Sequence, residues 1–382
     1  MKRVLFPLGI LLVNLFIIEI AATVAAFLIP NLFNTPDAER TAWLTNFDDY
    51  QAFLERGFDP VTGWNTPSNE SSRRDNCLGE SITYSFGPHG ARVTPVPGRA
   101  RILIVGDSYA FGQEVGDADT YPSRLAELLD VPVANYGVGG FGPTQALLRL
   151  KQKLSLHPEA EVVILSIMYE NVRRMRNAYR PAYHATTGTQ FGFKPYVKIT
   201  QSPSGSGALT ASIEPNPNAI PAATPEALRA RVDELLRSDY WTTARRRFPF
   251  SLSLTRTLRR EAVRLRVAGS LSADSGKYAR EFRHPEFQAG LLEIARQLVS
   301  LAEARGLERH IVFVPQNSKG LATPDETIRL IDREVEPGLA VNVGGMRFDW
   351  SRYNLKPDSC HPTPAGHWAI AAFVAERLTR DR

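Results

Sequence analysis

The chain has 382 residues, of which 43% are hydrophobic and 22% charged, so it is globular material long enough for one large domain with insertions or for two domains. Its net charge of +5 comes from arginines spread along the sequence. Basic and aromatic residues do not alternate as they do in nucleic-acid-binding modules, so we expect no nucleic-acid partner.

The N-terminus carries an apolar stretch, Val4–Leu28, preceded by Lys2-Arg3. As a helix it spans roughly 37 Å, more than the about 30 Å of a membrane's hydrocarbon core. We expect an uncleaved anchor in residues 1–30, although Val24-Ala25-Ala26 also fits a cleavage site. The basic residues favour a cytoplasmic N-terminus, a single pass through the inner membrane and a periplasmic main domain. Glu19 is costly in a membrane and predicts a partner helix or a watery interface.

The cysteines, Cys77 and Cys360, fit an oxidising compartment. They can form one disulfide bond or remain two unpaired thiols, and the sequence leaves both possibilities open. Because they lie far apart in the chain, they do not form a short-range metal motif, and we expect no metal site.

Regular structure is predicted to begin at Arg99. Residues 31–98 lack sustained periodicity, and we interpret them as a juxtamembrane extension that packs on the domain C-terminal to it. In that domain, short apolar runs alternate with amphipathic helices, which indicates βαβ units and a parallel sheet. The predicted strands are Ile102–Val105, Val131–Asn135, Val162–Ile167 and His310–Pro315. The predicted helices are Tyr121–Leu129, Thr144–Leu154, Glu286–Glu303, one around Pro324–Arg333, and Ala365–Leu378.

This alternation is lost between about residues 191 and 282. The Ser/Gly/Pro-rich stretch Gln201–Pro225 predicts a loop. An arginine-rich helical piece comes next within Arg245–Arg266, and it is either a solvated helix face or a contact with anionic lipid or acidic glycan. We therefore predict one α/β domain, residues 99–382, interrupted by an insertion at about 191–282.

Three loops come directly after three consecutive predicted strands. They are Gly106-Asp107-Ser108, Gly137–Gly142 and Tyr169-Glu170-Asn171. Because the carboxyl ends of parallel strands meet at one edge of a sheet, we expect these loops to converge. Far downstream, Asp358 and His361 lie three residues apart, just before the last predicted helix.

These residues suit acyl transfer, which needs a nucleophile, an imidazole that takes its proton and a carboxylate that orients the imidazole. Ser108, His361 and Asp358 can fill those roles, although a serine between a strand and a helix is also an ordinary N-cap. Backbone N–H groups of Ser108 and of the glycine loop, with the amide of Asn171, can hold the developing oxyanion.

Taken together, Gly106-Asp107-Ser108, the Asn135–Gly140 loop, Asn171 and Asp358-x-x-His361-Pro362 resemble the SGNH/GDSL hydrolase family. The resemblance covers about residues 99–180 and 286–382. It implies a flavodoxin-like three-layer α/β/α sandwich with a mainly parallel sheet, and a serine esterase or acyltransferase without a cofactor. It assigns Ser108 as the nucleophile, Asp358 and His361 as the rest of the triad, and Ser108, Gly140 and Asn171 as oxyanion donors.

The third block departs from the family pattern, Gly-x-Asn-Asp. This chain has Met168–Val172 there, with Glu170 directly before Asn171. Asn171 is the expected donor. A shift of one residue would instead place Glu170 in the oxyanion hole, where a carboxylate would repel the intermediate.

Two other motifs compete for the same loops. Gly137-x-Gly139-x-x-Gly142 matches the dinucleotide fingerprint, which expects an acidic residue at the end of the next strand. Glu161 begins that strand and Glu170 lies too far along, so the match is poor. The nucleophile elbow of α/β-hydrolases is excluded because Ala110 occupies its last glycine position.

The sequence thus favours a membrane-anchored serine esterase or O-acyltransferase that acts on acyl, first of all acetyl, groups of a cell-envelope polysaccharide. The substrate is inferred from location and resemblance. A non-catalytic glycan-binding or assembly subunit on the same fold is the alternative. Arginines beyond the third block either shape an anionic or glycan cleft or are ordinary surface residues: Arg173, Arg174, Arg176 and Arg180.

Overall fold

A computed structural model describes residues 2–28, 46–183, 191–201, 208–241, 248–259, 278–316, 320–356 and 361–380. Its strands are β1 (Phe58–Asp59), β2 (Gly63–Trp64), β3 (Ser71–Asp75), β4 (Ser81–Ser85), β5 (Ile102–Gly106), β6 (Val133–Gly137), β7 (Val162–Met168), β8 (Tyr196–Gln201), β9 (Leu209–Glu214), β10 (Glu308–Val314) and β11 (Ala340–Asn342). Its α-helices are α1 (Lys2–Leu28), α2 (Phe47–Arg56), α3 (Ser108–Phe111), α4 (Tyr121–Leu129), α5 (Pro143–Lys153), α6 (Arg180–Tyr183), α7 (Pro225–Ser238), α8 (Phe250–Leu258), α9 (Ala279–Arg283), α10 (Pro285–Glu303), α11 (Asp325–Glu334) and α12 (Pro364–Arg380).

The central sheet, as far as the described residues show it, has five strands in the order β11-β10-β7-β5-β6. Each neighbouring pair is parallel. Numbered along the chain, this is the order 2-1-3-4-5 of flavodoxin-like sheets, in which ligands bind beyond the carboxyl ends of the strands. The predicted α/β fold is confirmed.

Both faces of the sheet are covered by helices. Ile102 and Ile104 belong to a buried cluster that includes residues of α4 and α12. Leu103 and Val105 point to the opposite face and are also fully buried, and α5 and α10 pack on the sheet strands. Because β5 is buried on both faces, its sequence Ile102–Val105 is continuously apolar and does not alternate between apolar and polar residues.

Local signals placed several elements accurately. The helix predicted over Tyr121–Leu129 has those bounds, and the Thr120 side chain caps it by accepting the N–H of Ser123. One prediction was wrong: residues 209–214, expected to be loop, form β9, which pairs antiparallel with β8. Leu209, Ala211 and Ile213 are half-buried and alternate with exposed residues, a strand pattern that the surrounding Ser, Gly and Pro residues obscured.

The chain separates into two compact units. One comprises the described residues within Met1–Phe47, Tyr179–Phe191 and Ala223–Ala273, and it contains α1, α7 and α8. The other comprises those within Asp48–Ala178, Gly192–Ala222 and Asp274–Arg382, and it contains the central sheet. The domain boundaries predicted from the sequence stay predictions.

Helix α1 is long and apolar enough to cross a membrane. Its segment Ile10–Leu28 has a mean hydropathy of 2.4, and only 11% of its most apolar window is buried. Large apolar side chains along it are therefore exposed, Phe16 by 68% and Phe27 by 64%.

Candidate active site

Ser108 lies at a sharp turn from strand to helix. Strand β5 ends at Gly106, and Ser108 is the first residue of α3, so its backbone N–H has no acceptor within the helix. Asp107 is the N-cap, and its Oδ1 accepts the N–H of Tyr109 at 2.9 Å. At Gly137 a Cβ would lie 2.2 Å from the backbone nitrogen of Phe111. Glycine there allows α3 to pack directly on the end of β6.

His361 reaches this turn from the far end of the sequence. Its Nε2 lies 2.9 Å from Ser108 Oγ, so the serine hydroxyl can donate to a neutral imidazole. Two backbone contacts hold His361 and Pro362 in place. The N–H of Leu355 donates to the His361 carbonyl at 3.1 Å, and Asn354 forms a β-bridge with Pro362. Ser108 is only 4% exposed and His361 is half-buried, so the pair lies at the sheet edge with the serine shielded from solvent.

The electrostatic surroundings of His361 keep its ring neutral. Burial lowers its pKa from the ordinary value of 6.5 to about 4, and the positive charge of Arg174 contributes in the same direction. The carboxylate of Glu170 opposes this shift. A neutral imidazole at physiological pH is what a general base requires.

The predicted triad acid, Asp358, lies outside the described residues, as does Cys360. Its role as the carboxylate partner of His361 stays a prediction. Cys77 is disulfide-bonded, and the described residues contain no free cysteine.

Asp107 joins the loops after β5 and β7, a role that the sequence alone did not reveal. Its Oδ2 accepts the N–H of Met168 at 2.8 Å and an amide N–H of Asn171 at 2.6 Å. Burial raises the pKa of this carboxyl group, and these hydrogen bonds act against the increase. The signal was present, because an aspartate directly before a helix is a typical N-cap. Its cross-strand partners could not be read locally.

The predicted oxyanion donors occupy different settings. Gly140 has a left-handed backbone (φ +83°) beneath the Trp64 ring, and its N–H donates to no acceptor in the described part of the chain. Asn171 is fully buried, and its Nδ2 is already bonded to Asp107. That nitrogen carries a second hydrogen, so the donor role of Asn171, like that of Gly140, stays a prediction.

Glu170 is held beside the site by side chains from two other segments. Its Oε2 accepts from the Tyr278 hydroxyl at 3.3 Å and from Gln316 Nε2 at 3.2 Å. It also acts electrostatically on His361. Glu170 therefore contributes negative charge near His361.

The segment before the sheet completes the site. The Trp64 indole N–H donates to the Gly139 carbonyl at 3.0 Å, and the Trp64 ring meets Phe141 edge-on at 5.5 Å. Arg92 is buried and donates to the carbonyls of Phe111 and Gly112 at 2.7 and 2.6 Å, at the end of α3. No sequence signal predicted these long-range contacts.

The arginines beyond the third block are largely engaged within the protein. Arg173 donates to Glu281 at 2.6 Å, and Arg176 to Glu286 at 2.8 Å. Arg174 is buried and donates to the Phe141 carbonyl at 3.1 Å. These contacts favour structural roles for Arg173 and Arg176 over a glycan cleft.

The glycines of the dinucleotide-like pattern have packing roles as well. A Cβ at Gly142 would lie 2.8 Å from Arg174 Cβ, and Gly137 lies under α3.

Within the described residues, no group of three or more His, Cys, Asp or Glu side chains is arranged to hold a metal ion.

Fold and geometry define a parallel α/β protein with a serine–histidine pair at the carboxyl edge of its sheet. No protein-family model matches the chain, and no curated protein matches it. A solved structure described as a "putative lipolytic protein of G-D-S-L family" from Desulfitobacterium hafniense DCB-2 is similar to 72% of this chain and 98% of its own, with 9% identity and a TM-score of 0.30. This is a distant likeness of fold and carries no weight for reaction or substrate.

Proposed function

We propose that the protein is a serine acyl-ester hydrolase or O-acyltransferase that acts outside the cytoplasm on O-acyl groups, first of all acetyl groups, of a cell-envelope polysaccharide. One observation carries the reaction class: His361 Nε2 lies 2.9 Å from Ser108 Oγ, at the carboxyl edge of the sheet. A nucleophile and its base within hydrogen-bond reach are the minimum arrangement for acyl-enzyme chemistry.

In the first step, Ser108 Oγ attacks the ester carbonyl carbon and its proton passes to His361 Nε2. The carbonyl oxygen becomes an oxyanion, and the proposed donors to it are the backbone N–H groups of Ser108 and Gly140 and the side-chain amide of Asn171. The intermediate collapses to an acyl-serine, and His361 returns the proton to the departing alcohol. Water or a sugar hydroxyl then attacks the acyl carbon and gives its proton to His361. The second intermediate then collapses, the bond between the acyl carbon and Ser108 Oγ breaks, and His361 returns the proton to Ser108 Oγ as the acid or the new ester leaves.

The proposed location rests on three features. Helix α1 is long and apolar enough to span a membrane, and the basic residues before its apolar stretch favour a cytoplasmic N-terminus. The disulfide-bonded Cys77 fits an oxidising compartment. An ester on a polysaccharide of the envelope is the substrate class that such a location offers first.

Hydrolysis of p-nitrophenyl acetate by the purified full-length protein tests the reaction class. Ser108→Ala and His361→Ala should each lose both the initial burst of nitrophenol, which accompanies formation of the acyl-serine, and the steady-state turnover. Ser351→Ala, at an exposed serine, should behave as wild type. Wild-type protein without turnover, or Ser108→Ala with wild-type turnover, would contradict the proposal and favour the non-catalytic glycan-binding subunit.

Hydrolase and transferase are separated by adding an acceptor. With p-nitrophenyl acetate and a de-acetylated envelope polysaccharide, a transferase should place acetyl groups on the glycan and release less acetate than nitrophenol. Equal amounts of acetate and nitrophenol, with no acetylated glycan, would assign the protein as a hydrolase.

A further inference from the structure

The first residues of α8 contact the carboxylate of Glu19, a residue of α1, and both helices belong to the same compact unit. Glu19 accepts the backbone N–H groups of Phe250 and Ser251, the first two residues of α8, the latter at 3.1 Å. These N–H groups have no acceptor within their own helix. Glu19 therefore caps α8 from another helix, and the positive end of the α8 dipole faces its charge.

The face of α1 around Glu19 is built for close packing. Ala22 and Ala26, three and seven residues further on, are buried to 3% and 7% exposure in a helix whose other side chains are mostly exposed. Small residues let two helices approach closely. Five residues beyond Ala22, the ring of Phe27 meets that of Phe250 edge-on at 5.9 Å. The start of α8 thus lies at the level of α1 between Glu19 and Phe27.

This arrangement suits hydrocarbon better than water. In water, a carboxylate and the free amides of a helix end are solvated and need no protein partner. In a bilayer, an unpartnered carboxylate and each unsatisfied N–H group are costly, and here each satisfies the other. The exposed residues near the start of α8 include large apolar ones: Phe248 is 76% exposed and Leu252 49%.

We propose that α8 is a second membrane element, immersed in the lipid hydrocarbon beside the C-terminal half of α1, with acyl chains covering Phe248 and Leu252. Glu19 lies about 13 Å along the helix from Leu28, close to half of the roughly 30 Å hydrocarbon thickness. Helix α8 is itself about 13 Å long, so it can run from mid-membrane to the headgroups.

The C-terminal end of α8 fits that path. Arg256 and Arg259 are exposed there, directly after the apolar start of the helix. Arginine at the headgroup level pairs with lipid phosphate. The partner of this surface is therefore a phospholipid bilayer, and the proposal depends on α1 spanning a membrane, not on the reaction at Ser108.

Fluorescence in vesicles tests the immersion. A thiol-reactive NBD probe is attached, without reductant, to full-length protein carrying Leu252→Cys, and the protein is reconstituted in vesicles with brominated acyl chains. The disulfide-bonded Cys77 is not labelled under these conditions. Phe16→Cys on α1 is the membrane reference, and Leu128→Cys, an exposed leucine of α4, is the reference outside this helix pair.

We expect quenching at position 252 comparable to that at position 16, with a blue-shifted emission, and little quenching at position 128. Position 252 left unquenched while position 16 is quenched would overturn the proposal. The same holds if position 252 is shielded from aqueous iodide but not quenched by brominated lipid, because a protein would then cover it.

Variants test the role of Glu19. Glu19→Leu removes the cap and should abolish lipid quenching at position 252 while leaving position 16 unchanged, and Glu19→Gln, which keeps one acceptor oxygen, should retain most of it. Ala22→Phe should separate the helices and act like Glu19→Leu, whereas Val24→Phe, on the exposed side of α1, should have no effect. Unchanged quenching in both Glu19→Leu and Ala22→Phe would contradict the capping contact.

Discussion

At the scale of single residues, the proposed reaction requires a neutral His361 that can accept the Ser108 proton, and the neighbours of His361 set the pH at which it is neutral. Burial and Arg174 lower its pKa to about 4, and Glu170 acts in the opposite direction. The imidazole is therefore unprotonated even at pH values well below the ordinary histidine pKa of about 6.5. We expect kcat/KM for p-nitrophenyl acetate to keep its plateau down to about pH 5.

Two neutral substitutions should move this acid limb in opposite directions. Glu170→Gln removes a negative charge and should lower the pKa of His361, so the limb shifts to lower pH. Arg174→Gln removes a positive charge and should shift the limb to higher pH. The measurement is the pH dependence of kcat/KM between pH 3.5 and 8 (a range within about two units of the expected and ordinary pKa values). Shifts in the same direction would show that at least one of the two charges does not act on His361 in the expected sense.

Gly140 offers a test of the oxyanion hole with a matched control. Gly140 and Gly79 share a φ of +83°, but a Cβ at Gly140 would lie 3.4 Å from Trp64, whereas one at Gly79 would meet nothing within 4 Å. Each alanine variant should lose about 1 kcal/mol of stability from left-handed backbone strain. Only Gly140→Ala should also lower kcat, by about tenfold or more, with KM little changed. Equal kcat values in the two variants would remove Gly140 from the site.

At the scale of elements, the helix that carries Ser108 is too short to be stable by itself. Helix α3 has four residues and depends on contacts from elsewhere. Asp107 caps its start, Gly137 lets it pack on β6, and Arg92 binds the carbonyls at its end. Arg92 is also paired with Asp117 at 2.8 Å, and burial lowers the pKa of its guanidinium group.

Removing Arg92 should therefore destabilise the protein strongly. Arg92→Met leaves the buried carbonyls of Phe111, Gly112 and Val115 without this donor. We expect a loss of about 3–5 kcal/mol in the free energy of unfolding, measured by urea denaturation, together with reduced kcat. Arg99→Met, at a side chain that is 81% exposed, should change stability by less than about 0.5 kcal/mol. Similar values for the two variants would contradict the proposed support of α3.

Local patterns predicted the elements better than the contacts between them. Apolar periodicity and an N-cap threonine fixed the bounds of Tyr121–Leu129, and the glycine and serine at the end of β5 marked the strand–helix turn. The sequence also pointed to Ser108, because parallel strands share one edge, and to His361, because a carboxylate, Asp358, lies three residues before it. It could not show that Asp107 bonds Asn171, or that Arg92 and Trp64 support the loops, since these contacts depend on packing between distant segments.

At the scale of the whole molecule, buried neutral histidines make stability depend on pH. His367 is fully buried, its Nδ1 accepts the Tyr121 N–H at 3.2 Å, and burial lowers its pKa to about 3. In the unfolded chain the pKa of His367 is about 6.5. Between pH 3 and 6.5 the unfolded chain is therefore protonated at this residue, whereas the folded protein is not. The stability that His367 contributes is thus present above pH 6.5 and is lost as the pH falls toward 3.

The expected slope is about 1.4 kcal/mol per pH unit for this one group. His367→Gln keeps an acceptor for the Tyr121 N–H but does not titrate. The free energy of unfolding is measured by urea denaturation at several pH values between about 4 and 6. As the pH falls, it should decrease less steeply in His367→Gln than in the wild type, and the two slopes should differ by about 1.4 kcal/mol per pH unit. Parallel pH profiles would mean that His367 is not held neutral in the folded protein.

Peptide mapping after treatment with a fluorophosphonate shows whether Ser108 is a nucleophile activated by His361. We expect one adduct per chain, on the peptide containing Ser108. The wild type should form it, and His361→Ala should form it at least about a hundredfold more slowly, since the base then no longer activates the hydroxyl. An adduct on another serine, or labelling of Ser108 at the same rate without His361, would contradict the proposed Ser108–His361 mechanism.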